Sequence, residues 1–476
     1  MTPASRPIRV GLDLRKLGPR PNDYPEFAEI LSRSEVQPVL LTYPGDDGAV
    51  IRVWRNTFKS SELWYSSFAS LEDTGRTADS REFWITRKDA DGELVQSSHC
   101  NFLDYPSLLV AAGILSDEIA LEDRHYAAAL AAAGMKLGID VIVTLAPSLD
   151  RVDVPENDVV AMVAPKHLAG VFGHYLRMTG SRIPQRVARG KTTISTQHHS
   201  LKDVYDWGVI SLAPFLTSLA QVASTLQEFQ AVQEILSIQA RLRRAARSLD
   251  ELLAALSRTN GHDVKPDDDS LEFASEAFDR ELLYLVAVFD SFGRAFARWL
   301  DPAAAETRVS LHHRRFYEQY VEPSFPQHPN LGRLRNLQEF SFVCARLRNQ
   351  IHSVFRPSEA FPSQGYGSSE SVAIRLDQEI QDVLTAEQVD ALGVWRADLL
   401  FGSAVVADLA TAGIGFLRMT LEYVELFSKM VMCTVPTDKP NRLPFLGKVT
   451  DTGAPLPAPH ENEVMYRSLF GWADVS

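Results

Sequence analysis

The spacing of apolar residues changes near residue 212, and this change limits the folds open to the chain. Before it, strand-like runs at residues 8–15, 37–43 and 139–144 alternate with helical stretches, and the last run is continuously apolar, as in parallel sheets covered on both faces. After it, apolar residues recur every three or four positions, at Leu216, Leu219, Val222, Leu226, Phe229, Val232, Ile235, Ile238 and Leu242. The pattern predicts an α/β N-terminal domain with a mostly parallel sheet, followed by an all-α helical bundle.

Local signals add detail to both halves. Aromatic, β-rich segments between residues 51 and 102, such as Val53-Trp54 and Phe83-Trp84-Ile85, predict β-hairpins inserted into the α/β domain. Helices are predicted at 107–115, 117–137 and 164–178. Ser248 with Glu251, and Thr385 with Gln388, have the spacing of capping boxes, so helices are expected to begin there.

The length of 476 residues exceeds what one core supports and predicts several domains. We expect an α/β domain at 1–205, long connecting helices at 206–260, a helical bundle at 261–435 and a proline-rich tail at 436–476. The polar run from Thr259 to Asp269 marks the boundary before the bundle.

The net charge restricts the partners that the chain can bind, and the cysteine content indicates the compartment in which it folds. The net charge of −13 argues against broad coating of nucleic acid, although a local basic site is permitted. Three widely separated cysteines suggest no disulfide framework, which favours a reducing cytoplasm. The most apolar late stretch, residues 401–433, contains five charged side chains, so no membrane span is expected.

One short run carries most of the functional interest, namely Arg346-Leu347-Arg348-Asn349-Gln350-Ile351-His352. On a helix, Arg348 and His352 share a face, because residues four apart lie one above the other. A guanidinium can bind a scissile phosphate through two hydrogen bonds, and an imidazole can transfer protons near neutral pH. Asn349 could orient the histidine or bind phosphate. Arg333, Arg335, Arg346 and Arg356 predict a local basic patch around the pair.

The run resembles the motif of the HEPN domain, a small helical bundle found in many ribonucleases of toxin, antiviral and RNA-processing systems. HEPN proteins place an arginine, usually followed by a polar residue, four to six residues before a histidine. Arg346 has that distance to His352, whereas Arg348 has the polar neighbour Asn349, so the resemblance leaves open which arginine is catalytic. The helix 281–290 resembles the neighbouring HEPN helix, with Glu281 or Asp290 as its acidic residue.

The HEPN resemblance implies a metal-independent ribonuclease without a cofactor, with RNA as its partner and a homodimer formed through the helical half. A role in bacterial defence or in a toxin-like system is also implied by the resemblance alone. Arg348 or Arg346 would bind phosphate, His352 would transfer protons and Asn349 would orient.

Two alternatives remain at this stage. The N-terminal half faintly resembles a PIN nuclease domain, which holds divalent metal with carboxylates; the available acids are Asp13, Glu118, Glu122, Asp123 and Asp150. Alternatively, the helical half is a non-catalytic scaffold, since a stripe such as Leu216–Leu242 can pair with another chain or form an internal core.

Overall fold

The chain folds into two compact units in the computed structural model, one formed by the described residues up to Tyr175 and one by those from Leu176 onward. The structure describes residues 7–24, 30–31, 33, 35–43, 48–57, 67–73, 83–88, 93–100, 120–146, 161–179, 183–189, 193–225, 228–256, 268–300, 309–351, 359–362, 370–399, 402–434 and 469–471.

A seven-stranded sheet forms the centre of the first unit. Its strands are β1 (Ile8–Asp13), β2 (Val36–Thr42), β3 (Ser67–Asp73), β4 (Phe83–Lys88), β5 (Leu94–Cys100), β6 (Val141–Val143) and β7 (Ala161–Val163). They lie in the order β5-β4-β3-β2-β1-β6-β7. Strands β1, β2, β3, β6 and β7 pair in parallel, whereas β4 and β5 are added antiparallel. The predicted parallel sheet with inserted hairpin strands is therefore confirmed.

Helices cover this sheet, which explains why its central strands are apolar throughout. They are α1 (Leu14–Leu17), α2 (Gly48–Thr57) and α3 (Leu121–Leu137). Helix α4 (Leu168–Thr179) follows β7 in the chain. Leu130, Ala133 and Leu137 of α3 pack in one core with Leu41 of β2 and Ile142 of β6. The small alanine side chains of α3 allow this helix to approach the sheet closely. The C-terminal end of β1 lies beside the helix.

One predicted strand segment is a helix. Val53 and Trp54 lie in α2, not in a hairpin. Trp54 is completely buried, and its indole N–H donates to the carbonyl of Gly18 at 2.9 Å. Burial and this hydrogen bond outweigh the strand preference of valine and tryptophan, which is a weak local signal.

Helices dominate the second unit. They are α5 (Leu201–Leu212), α6 (Pro214–Thr225), α7 (Phe229–Leu256), α8 (Asp268–Leu300), α9 (Arg314–Phe316), α10 (Glu322–Ser324), α11 (Leu331–Gln350), α12 (Gln378–Gln381), α13 (Ala386–Ala391) and α14 (Leu409–Thr434). A π-helical turn, Tyr317–Val321, joins α9 to α10. The hairpin β8 (Ile183–Arg189) and β9 (Thr193–His199) precedes α5.

The two longest helices, α7 and α8, lie antiparallel. Arg298 near the end of α8 bonds Glu234 near the start of α7, and Arg280 reaches Glu251 at 2.8 Å near the opposite ends. Helices α11 and α14 complete the core through aromatic pairs. Their closest rings are Phe296–Phe427 at 4.8 Å, Phe292–Phe427 at 5.0 Å and Phe340–Phe416 at 5.0 Å between centroids.

The C-terminal half is not all-α, contrary to the prediction. Four short strands between α11 and α14 form an antiparallel sheet in the order β10-β11-β13-β12. They are β10 (Glu359–Pro362), β11 (Glu370–Arg375), β12 (Val394–Leu399) and β13 (Gly402–Asp408). Phe361, Ala373, Ala397 and Val406 form a small core of their own in this sheet. Burial of one face stabilises this sheet, because short strands without a buried apolar face are at best marginally stable in water.

The apolar stripe of residues 216–242 is shared by two helices, α6 and α7, instead of one. Leu216, Leu219, Ile235, Ile238 and Leu242 of the stripe are completely buried and belong to the core of the unit, whereas Phe229 is exposed and Val232 is half-buried. Ser248, expected to begin a helix, is buried within α7. The other capping box is confirmed: Thr385 caps α13, with reciprocal hydrogen bonds to Gln388.

Among the residues that the structure describes, no helix is both long and apolar enough to cross a membrane.

Candidate functional site

The two arginines of the predicted motif lie in different surroundings on the last turns of α11. Arg346 is exposed, and its guanidinium forms an ion pair at 3.1 Å with Glu379 of α12. The same guanidinium stacks 5.1 Å from the ring of Phe342. Arg346 is therefore engaged by an acid of α12 and by an aromatic ring of its own helix.

Arg348 is partly buried, and none of the ion pairs within the described part of the chain involves it. Its positive charge acts on two buried groups. Burial lowers the pKa of His312 to about 4, with further lowering by His313 and Arg348 and an opposing effect of Asp290. Burial raises the pKa of the Cys344 thiol, and Glu281 raises it further, whereas Arg348 lowers it. The charge of Arg348 thus acts on His312 of the 309–313 loop and on Cys344 of its own helix.

His352 lies outside the described residues, so its position relative to Arg348 stays a prediction. Asn349 is exposed on the last turn of α11, beside Arg348 in sequence. The structure therefore places two members of the proposed trio, Arg348 and Asn349, at the end of one helix.

The predicted basic patch is mostly neutralised by acids. Arg333 forms two hydrogen bonds to Glu422, at 2.6 and 2.7 Å, and also bonds Glu387. Arg335 lies 3.4 Å from Glu322. The prediction of a patch is wrong for these two arginines, because sequence cannot show which acids of distant helices reach them. Arg356 lies outside the described residues.

The two acids proposed for the neighbouring helix differ in access. Glu281 is completely buried, and neither of its carboxyl oxygens has a hydrogen-bond partner in the described structure. Burial raises its pKa well above the ordinary value and so favours the protonated carboxyl group. Asp290 follows nine residues later on α8 and is partly exposed. Its Oδ1 lies 3.8 Å from Nδ1 of His312. Asp290 therefore lies near His312, whereas Glu281 is enclosed in the core and acts on the buried Cys344 thiol.

His312, which was not predicted as a site residue, lies near Asp290 of α8. Its ring contacts Ser310, with 2.5 Å between the hydroxyl oxygen and Nδ1, and stacks edge-on against His313 at 4.1 Å between centroids. The adjacent histidine pair was visible in the sequence, but its nearness to Asp290 depends on how a loop crosses α8.

In the first unit, uncharged side chains donate hydrogen bonds to Asp13 at the C-terminal end of β1. Asp13 is completely buried; it accepts hydrogen bonds from Tyr126 at 2.6 Å and from Thr144 at 2.7 Å. Burial raises its pKa, and these hydrogen bonds oppose that effect. Asp123 pairs instead with Lys16 at 3.0 Å.

The PIN-like metal site is not assembled by the acids that the structure describes. Within the described residues, no three side chains of histidine, cysteine, aspartate or glutamate are grouped to hold a metal ion. Glu118, Asp150 and the side chain of Glu122 lie outside them.

No family model matches this chain, and neither a curated protein nor a solved structure is significantly similar to it. The HEPN and PIN resemblances therefore rest on the residues of this chain alone.

Proposed function

We propose that this chain is a metal-independent ribonuclease of the HEPN type, acting on RNA at the C-terminal end of α11. Arg348 binds the scissile phosphate, His352 transfers protons and Asn349 orients. The observation that supports this assignment is the different engagement of the two motif arginines. Arg346 is paired with Glu379, whereas Arg348 takes part in no ion pair with a described residue and lies one helical turn after the buried Cys344.

Arg348 has the properties that phosphate binding needs. A guanidinium that is partly shielded from water interacts more strongly with a phosphate than an exposed one, because the effective dielectric constant is lower. The transition state of phosphoryl transfer carries additional negative charge on its oxygens, and a fixed cation stabilises that charge. An arginine already neutralised by a carboxylate, such as Arg346, would have to break that pair first.

The proposal extends to assembly and context. We propose that two copies pair through the helical unit, since HEPN ribonucleases commonly face two motifs into one cleft. A role in bacterial defence or in a toxin-like system follows from the same resemblance.

The experiment compares two substitutions on one helix, Arg348→Ala and Arg346→Ala. Both are assayed on a fluorescent single-stranded RNA in the presence of EDTA. Arg348→Ala is expected to lower the cleavage rate by about 100-fold or more, the typical effect of removing one group that stabilises transition-state charge. Arg346→Ala is the matched control and is expected to keep the rate within a few-fold. Equal rates for Arg348→Ala and the native chain would reject the proposed function.

A second candidate function is a non-catalytic scaffold, favoured by a shallow groove between α5, α6 and α7. Ile210, Ala220, Val232 and Leu236 line it, and Leu236 is half exposed. Phe229, at the start of α7, is 69% exposed. Under both candidate functions, we propose that a second copy of the chain binds in this groove. Sedimentation of Leu236→Ser and the native chain distinguishes a dimer formed here from a dimer formed elsewhere.

A further inference from the structure

We infer that the second unit contains a binding site for a short peptide segment with a phenylalanine, and that the chain fills this site with its own Leu469 and Phe470. The last residues of a chain usually stay in water unless specific contacts hold them. Leu469 is only 4% exposed and Phe470 only 1% exposed, so such contacts are present here. The inference does not depend on the proposed RNA cleavage.

A buried cluster of hydrogen bonds joins the three helices that form the peptide site. Arg177 lies in the part of α4 that belongs to the second unit, and its guanidinium donates to both oxygens of Asp250 in α7, at 2.5 and 3.0 Å. The hydroxyl of Tyr205 in α5 donates to the same carboxylate at 2.6 Å. All three side chains are buried. These bonds use no atom of Leu469 or Phe470, so they can keep the site in shape when the segment is absent.

The same guanidinium binds the peptide segment. Nη1 of Arg177 donates to the backbone carbonyl of Leu469 at 2.7 Å, and the guanidinium carbon lies 4.1 Å from the centroid of the Phe470 ring. A charged donor strengthens the hydrogen bond, and exclusion of water strengthens the cation–π contact. One arginine therefore recognises a backbone carbonyl together with the aromatic side chain that follows it.

A glycine leaves room for the phenylalanine ring. Gly208 lies three residues after Tyr205 on α5, and a Cβ atom at this position would lie only 2.2 Å from Cε2 of Phe470. The ring of Tyr205 borders the same space, with its centroid 5.8 Å from that of Phe470. We call this space the ring slot. Glycine is unfavourable within a helix, so its presence here is consistent with a requirement for the slot.

These contacts define the chemistry of the ligand. It is a peptide with a backbone carbonyl that accepts from Arg177 and, on the next residue, a flat apolar ring that enters the slot. A free peptide with the same sequence offers both groups equally well. The chain's own segment competes with it, because a tethered ligand is present at an effective concentration in the millimolar range.

The test uses the full chain with Phe470→Ala, which empties the ring slot and leaves the three helices unaltered. The probe is a fluorescent peptide with the sequence of residues 466–476, and fluorescence anisotropy measures its binding. Saturable binding to Phe470→Ala is expected. Binding to the native chain should be about tenfold weaker, because the tethered segment competes. The same peptide carrying Phe470→Ala is the control ligand and is not expected to bind.

Gly208→Ala, added to the Phe470→Ala chain, provides the matched control receptor. The new methyl group occupies the ring slot, and alanine favours the helix more than glycine does, so α5 is retained. Peptide binding is therefore expected to be lost while the helical circular dichroism is unchanged. Equal affinity of the peptide for the two variants would show that the slot is not the place of binding and would overturn the inference.

Thermal melts keep the test decisive if Phe470→Ala is unstable. Excess peptide is expected to raise the thermal midpoint of Phe470→Ala by several degrees and to move that of the native chain by less than about one degree, because only an open site gains a ligand. Phe470→Leu, which keeps an apolar side chain, is measured in the same way. A ring that served only as core would not be replaced by a free peptide. Unmoved midpoints in both variants, or equal binding to the native chain and Phe470→Ala, overturn the inference.

Discussion

Glu281→Gln should make the stability of the chain less dependent on pH, because Glu281 is buried without a partner. Burial favours the protonated carboxyl group in the folded chain, whereas the unfolded chain releases the proton above the ordinary pKa of ~4.3. The stability present at low pH is therefore lost as pH rises toward the raised pKa. One proton of difference corresponds to about 1.4 kcal/mol of unfolding free energy per pH unit.

The assay is urea denaturation of the native chain and Glu281→Gln at pH 5 and pH 6. The unfolding free energy of Glu281→Gln, relative to that of the native chain, should increase by about 1.4 kcal/mol from pH 5 to pH 6. Glu379→Gln, which alters an exposed carboxylate, is the control for general pH effects. A difference that is the same at pH 5 and pH 6 would refute the claim that Glu281 is protonated in the fold.

Two further substitutions test the packing of the second unit. Arg177→Met should lower the free energy of unfolding by about 3–5 kcal/mol in urea denaturation, because it leaves the completely buried Asp250 without its 2.5 Å ion-pair partner. Gly293→Ala should cost about 1–3 kcal/mol by overpacking against the backbone of Ser310, measured as a lower thermal midpoint.

The α/β half was largely predictable, because periodicity reports burial directly. The strand near residues 139–144 was recognised from its continuous apolar character, and it is observed as β6. The error at Trp54 arose because a buried aromatic residue favours a strand locally, whereas its hydrogen bond to Gly18 depends on the tertiary fold.

The inserted sheet of the second unit was missed although its strands leave a trace in the sequence. Val394–Leu399 has strand-like composition, and Gly402, with a φ of 103°, follows it at the start of β13. The strands are only four to seven residues long and lie between strong helical patterns. A window long enough to detect a helix averages such short strands away.

The site was predictable only where it is local. Arg348 and Asn349 lie on a helix, as their spacing suggested. The pairing of Arg346 with Glu379 and the approach of His312 to Asp290 join residues far apart in sequence. No motif encodes those contacts; they follow from how α8, α11 and the inserted sheet pack.

The most direct test of the central claim is the chemical nature of the RNA ends that the purified chain produces in EDTA. Mass spectrometry of the products should find 2′,3′-cyclic phosphate and 5′-hydroxyl ends, and Arg348→Ala should produce about 100-fold less of both in the same time. Absence of cleavage by the native chain, or 3′-hydroxyl ends formed only when divalent metal is added, would contradict the account.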